Sequence, residues 1–281
     1  MNNYKNLVDN IRKKGSFLCI GLDTDLSQLP LHIKDSKWPL FQFNKEIIDN
    51  THDLCVAYKP NLAFYEAEGA DGWIQLKMTI DYIKEKDSSI LVIADAKRGD
   101  ICNTAQRYAK AFYESLNCDA VTLAPYMGRD SIDPFLQYKD KWSIILALTS
   151  NSSADEFETL TVSNEPSMPL YKKVILQSNL WGDTDNIMFV VGATRAQKLK
   201  EIREFCPDHF FLVPGVGAQG GTIEEVAKYG MNSNIGLLIN VSRSLIYAYK
   251  EHKQEADSSL NFATYARLYA QEQVLQMQKV L

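Results

Sequence analysis

The sequence lacks the usual marks of a metal centre, a secreted scaffold or a membrane protein. Its 281 residues hold five cysteines, Cys19, Cys55, Cys102, Cys118 and Cys206, an odd number with no CxxC. That pattern supports neither a disulfide framework nor a zinc ribbon, and reduced thiols in the cytoplasm are the expected state. The four histidines, His32, His52, His209 and His252, show neither HxxH nor HExxH spacing, so no metal is expected. The longest apolar runs, such as SIILALTS and NIMFVVGA, are far too short to cross a bilayer. The opening MNNYKNLVDNIRKK has no apolar centre like that of a signal peptide. There is no Pro/Gly/Ser linker, close repeat or low-complexity tract, so a single domain over 1–281 is expected. Excess positive charge is missing too. Thirty Lys and Arg stand against 35 Asp and Glu, net −5, which argues against coating nucleic acid or an anionic membrane. A local anion pocket stays open.

What is present is enough apolar material, 46%, to build a core. Short β-branched runs recur at 17–22, 56–59, 90–94, 120–123, 143–148, 187–191, 210–213 and 237–241. They are mostly apolar on both faces, as parallel strands covered by helices would be. Helices are predicted at 41–51, 73–86, 104–116, 131–138, 170–180, 196–205 and 222–229, with a final amphipathic one at 262–281. Eight βα units in a chain of this length predict an α/β protein with a (β/α)8 TIM barrel. An open doubly wound sheet is the alternative. The segment 150–169, rich in Ser, Asn, Glu and Pro, is predicted to be a long loop on the functional face.

Active-site residues of a barrel lie at the C-terminal ends of its strands. Those ends carry Asp23, then Lys59 and Asn61, then Asp95, Lys97 and Asp100. On an extended chain Asp95 and Lys97 leave on the same face, so a lysine–carboxylate array at one barrel mouth is possible. A solvated salt-bridge cluster is the bland alternative. Later, Gly215, Gly217 and Gly220 match GxGxxG between a strand and a helix. The acidic residue that a dinucleotide site wants about 20 residues on is missing. Phosphate binding on the loops after strands seven and eight fits better, with Arg243 as a charged fork. A structural glycine turn is its alternative. Phe64, Tyr65 and Tyr126 read as packing or pocket wall, and Cys102 as a small side chain before an activated thiol.

Together these motifs resemble the orotidine 5′-monophosphate decarboxylase family. DAKRGDICNT resembles its D-x-K-x-x-D-I-G-x-T signature. GLDTD, KPNLAFYE, TSN, PGVGAQGG and VSRS match in the family's order from Gly21 to Ser244. The chain is most similar to the longer subgroup found in some bacteria and parasites. The resemblance implies decarboxylation of orotidine 5′-monophosphate to uridine 5′-monophosphate without a cofactor. It implies that Lys97 protonates the C6 carbanion, with Asp95, Asp100 and Lys59 completing the charged array. Asp23, Asn61 and Thr104 would serve the ribose region, Ser150 the pyrimidine edge, and Gln219 and Arg243 the phosphate. It also implies a homodimer in which Asp100 and Thr104 enter the partner's site, with no nucleic acid polymer or membrane as partner. One departure is Cys102, where the family usually has Gly or Pro. Three rivals would use some of the same residues: a metal-dependent sugar-phosphate decarboxylase, a non-catalytic nucleotide binder and a Schiff-base aldolase. Lys59 disfavours the first, since a metal would prefer a carboxylate there. A binder needs no proton donor beside the ring, and lysines near carboxylates stay protonated, against aldolase chemistry.

Overall fold

The computed structural model of the chain describes residues 3–163, 167–217, 220–252 and 259–281. Among them, eight parallel strands close into a barrel in chain order. They are β1 (Leu18–Leu22), β2 (Ala57–Pro60), β3 (Leu91–Arg98), β4 (Ala120–Leu123), β5 (Trp142–Leu148), β6 (Ile187–Val191), β7 (Phe211–Pro214) and β8 (Leu237–Val241). β1, β6 and β8 are buried at every position. Leu, Ile and Val dominate them because one face fills the barrel and the other lies under helices. β1 pairs β2 with Gly21 opposite Lys59, and β8 with Ile20 opposite Val241, which closes the barrel.

The outer helices are α2 (Pro39–Thr51), α3 (Gly69–Lys86), α4 (Cys102–Lys110), α5 (Leu170–Ser178), α6 (Ala196–Phe205), α7 (Ile223–Gly230) and α8 (Phe262–Gln278). The last returns to the first outer helix: Phe262 of α8 stacks on Phe43 of α2, ring centroids 4.6 Å apart. The helix expected at 131–138 shrinks to one turn, Asp133–Leu136, because Pro134 is tolerated only at a helix start. The helix expected at 104–116 divides into α4 and a π-turn, Ala111–Ser115.

A helix not expected from the sequence, α1 (Asn3–Lys14), crosses the N-terminal end of the barrel. Leu7, Val8 and Ile11 bury its apolar face. Its polar side chains satisfy carbonyls just before the strands: Asn10 Nδ2 donates to Ser89 O at 3.0 Å and Lys14 Nζ to Cys55 O at 2.9 Å.

The segment expected as a loop has local order. It holds a short 3₁₀ helix, Ser152–Glu156, and an antiparallel ladder of Thr161–Val162 with Met168–Pro169. Two latches fasten it. Glu158 Oε2 accepts from Thr149 N at 2.7 Å, and Asp155 pairs with Arg195 at 2.9 Å.

Candidate active site

Two strands supply the charged centre. Lys59, near the end of β2, donates from Nζ to Asp95 Oδ2 at 2.8 Å. Lys97 Nζ donates to Asp95 Oδ1 at 2.6 Å. The Lys59 and Asp95 side chains are only 6% and 9% exposed, whereas that of Lys97 is 51% exposed. The inner pair is therefore desolvated, and the second ammonium faces the mouth. Burial alone would neutralise both inner groups. It raises the Asp95 pKa, but the charges and hydrogen bonds of Lys59 and Lys97 outweigh it and hold that carboxyl well below its usual range. Burial likewise depresses the Lys59 pKa, and Asp95 with Asp23 reverses this, so the ammonium is held more firmly than in water. The inner pair, Lys59 and Asp95, keeps fixed charges at neutral pH.

Asp95 and Lys97 do not meet by simple strand alternation, as the sequence pattern suggested. The β3–β4 register pairs Ala94 with Val121 and then Arg98 with Leu123. Three residues of β3 therefore face Thr122 alone, a bulge that bends the strand. Lys97 itself has φ 47°, a left-handed conformation uncommon for a long side chain. That bend aims its ammonium back at Asp95. Thr122, 1% exposed, accepts from Ala96 N at 3.0 Å and Lys97 N at 2.9 Å, and donates to Asp95 Oδ1 at 3.0 Å. Arg98 Nη1 donates to Ala96 O at 2.9 Å from the other side and pairs with Glu66. Sequence reasoning missed both residues.

Asp23 lies at the end of β1, half-buried, and its Oδ1 has no hydrogen-bond partner among the described residues. Burial raises its pKa and Lys59 pulls it back. Tyr247, also missed, holds the following turn: its hydroxyl accepts from Asp25 N at 2.8 Å and reaches Asp23 O at 3.3 Å. Asn61 forms an isolated bridge with Asp95 and caps the turn Leu62–Glu66 through Ala63 N. Lys59, Asp95, Lys97, Asn61 and Asp23 thus share one end of the barrel.

Asp100 does not join the array within this chain. It is half-buried, and its Oδ1 accepts from Ile101 N at 2.8 Å. Thr104 is exposed on the first turn of α4. Ser150 follows β5, packed so close to Gly192 that a Cβ there would come within 2.7 Å of it.

At the far side of the mouth, Gly215, Gly217 and Gly220 all have φ between 81° and 96°, a conformation that glycine adopts without strain. Gly217 N donates to Gly221 O and Gly220 N to Gly217 O, so these two amides close the loop on itself. Arg243 is exposed at the start of the short helix Arg243–Ile246, and its charge reaches Asp23. Gln219 lies outside the described residues.

The sequence profile described as Orotidine 5'-phosphate decarboxylase / HUMPS family matches residues 16–258. The chain belongs to this family. It is 55% identical over 271 residues to an orotidine 5′-phosphate decarboxylase of Christiangramia forsetii, covering 96% of each chain. It is 50% identical over 279 residues to that of Phocaeicola vulgatus, covering 99% of each. Its structure is similar to Leishmania donovani OMP decarboxylase, with a TM-score of 0.79 and 33% identity over 99% of this chain and all of that one. It is also similar to Leishmania donovani UMP synthase, TM-score 0.80 at 35% identity, with 97% of this chain matching 56% of that longer one.

The chain departs from the decarboxylase family's signature at one position on α4. Cys102 has φ 51° at the start of α4. A glycine there is free of the Cβ clash that a cysteine must bear.

Proposed function

We propose that this barrel mouth decarboxylates orotidine 5′-monophosphate to uridine 5′-monophosphate and CO2, with Lys97 as the proton donor to C6. The observation that carries the proposal is the asymmetry of the array. A desolvated Lys59–Asp95 pair anchors one ammonium, that of Lys97, which stays open to the mouth.

Loss of CO2 leaves an electron pair at C6 with little resonance help from the ring. The reaction is accelerated only by contacts that strengthen as that charge develops. A positive charge already held in place supplies such a contact without reorganisation, and the same group then delivers the proton. Asp95 stays ionised and holds the Lys97 ammonium by a hydrogen bond at its Oδ1. Asp23 Oδ1, buried without a partner among the described residues, and Asn61 are suited to ribose hydroxyls. Arg243 and Gln219 would hold the phosphate, Ser150 the pyrimidine edge, and binding energy from the phosphate would favour closure over the reacting carbon. Lys59 occupies the second side of Asp95, where a metal-dependent sugar-phosphate enzyme would need another oxygen ligand. Reduced, buried thiols at Cys19, Cys55, Cys118 and Cys206 suit a cytoplasmic enzyme.

Asp100 and Thr104 act across a two-fold homodimer in this reading. Their position outside the intrachain array supports it. The direct test is loss of orotidine 5′-monophosphate absorbance with purified, EDTA-treated protein. Turnover restored only by magnesium would reject the reading. The shared site has its own test, mixing Lys97→Ala with Asp100→Ala under subunit exchange. Half the dimers become mixed, one of their two sites carries both changes and the other neither, so activity returns to roughly a quarter of wild type. No recovery with mixed dimers present would place Asp100 in its own chain's site or outside catalysis.

A further inference from the structure

Thr122 performs a task that its position in the sequence does not advertise. It stands mid-strand in β4, 1% exposed, where an apolar side chain would ordinarily fill the barrel. Its hydroxyl has three hydrogen bonds, all to the segment that carries Asp95 and Lys97. Between the paired positions Ala94–Val121 and Arg98–Leu123, β3 has two residues more than β4. The extra backbone N–H groups lose their place in the regular ladder, and buried donors must find an acceptor. Thr122 Oγ1 accepts two of them, Ala96 N and Lys97 N, and its own hydrogen is directed to Asp95 Oδ1. Asp95 Oδ1 is the same oxygen that receives Lys97 Nζ. One hydroxyl therefore ties the backbone of Lys97 to the carboxylate that aligns the Lys97 ammonium.

We propose that Thr122 is a positioning residue for the Lys97 ammonium, setting it through the bulge in β3 and through Asp95. The proposal rests on the reading of Lys97 as proton donor. Thr122, closed off from the mouth, acts only through the backbone of Lys97 and the carboxylate of Asp95. Its effect falls on the chemical step, because the phosphate and ribose contacts lie on other strands. Arg98 supports the same bend from the outer side, holding Ala96 O.

The test is a series at one position, Thr122→Ser, Thr122→Cys and Thr122→Val, with Lys97→Ala assayed beside it. Serine keeps the hydroxyl, cysteine offers only a weak sulfur acceptor, and valine keeps the shape and offers none. Each variant is measured for orotidine 5′-monophosphate turnover and, by calorimetry, for uridine 5′-monophosphate affinity. The expected result is a kcat that falls in the order Ser, Cys, Val, reaching a loss of roughly 100-fold in Thr122→Val. KM and product affinity should hold, and Thr122→Ser should stay near wild type. If Thr122→Val fails to fold, the Ser–Cys pair decides, and equal kcat values there would overturn the proposal. Full turnover in a folded Thr122→Val beside an inactive Lys97→Ala would overturn the positioning role and leave the proton-donor reading intact. A parallel loss of kcat and product affinity would make Thr122 a purely structural residue. Turnover retained in Lys97→Ala would remove the proton-donor reading, and the positioning role with it.

Discussion

The two ends of the barrel each hold a desolvated cation, and they satisfy it in opposite ways. At the C-terminal mouth, Lys59 meets a carboxylate, Asp95, and its pKa is raised. At the N-terminal end, Arg203 on α6 meets five backbone carbonyls, of Cys206, Pro207, His209, Gly230 and Gly236, at 2.6–3.2 Å. No carboxylate lies within ion-pair distance of Arg203 among the described residues. Burial lowers its pKa to about 10, which still leaves it charged at neutral pH. Its guanidinium also lies over the Phe211 ring, 3.7 Å from the centroid. The carbonyl cage ties together the chain ends entering β7 and β8, a task of stability. The carboxylate at the mouth instead leaves one oxygen for a second, half-exposed ammonium. Matching charge with charge keeps a cation available, whereas matching it with the backbone uses it up.

The sharpest way to break this contrast is to remove the exposed ammonium. Lys97→Ala is expected to lower kcat by at least ~10⁴-fold, combining lost charge stabilisation and lost proton transfer. Affinity for uridine 5′-monophosphate should change little. Arg243→Ala should divide the effects the other way, weakening nucleotide affinity with the loss of a charge-assisted contact. Kinetics paired with calorimetry would show a reversed assignment at once.

At the opposite end, Arg203→Leu is expected to cost about 2–4 kcal/mol in denaturant unfolding, because several buried carbonyls lose their donors together. Its kcat should match wild type. A large loss of turnover at unchanged stability would erase the division of labour between the two ends.

The same end also sets a pH dependence. His209 is buried with both ring nitrogens lacking partners among the described residues, against Phe189 and close to Arg203. Burial first, and the Arg203 charge second, lower its pKa to about 4. A histidine depressed in the folded state takes up its proton more readily when unfolded. Its contribution is therefore fully present above the ordinary pKa of ~6.5 and is lost as pH falls from there toward 4, reaching about 3 kcal/mol. His209→Phe should flatten that part of a stability–pH curve. An unchanged slope would place the titration elsewhere.

The smallest expected effect returns to the mouth. Cys102→Gly relieves a positive φ and should raise stability by about 1 kcal/mol or less, because glycine also gains freedom in the unfolded chain. Lower stability would mean that the thiol makes compensating contacts.

Most strands and the charged strand ends were legible in the sequence because each is a local signal. Apolar β-branched runs such as Ile187–Val191 show their burial on both faces directly. Lys59, Asp95, Asp23 and Asn61 were recognisable because barrel strand ends are where such residues gather. The helix α1 was not, since its apolar positions Leu7, Val8 and Ile11 sit among polar residues and acquire meaning only against the barrel floor. The order of residues is enough to set an aspartate and a lysine two apart at the end of β3. How the two side chains meet depends on the packing of β3 against β4. Register belongs to two strands at once, and the mismatch between β3 and β4 produces the bulge, the left-handed turn at Lys97 and the need for an acceptor at Thr122. A single strand cannot encode that mismatch, because the missing ladder partner lies on its neighbour.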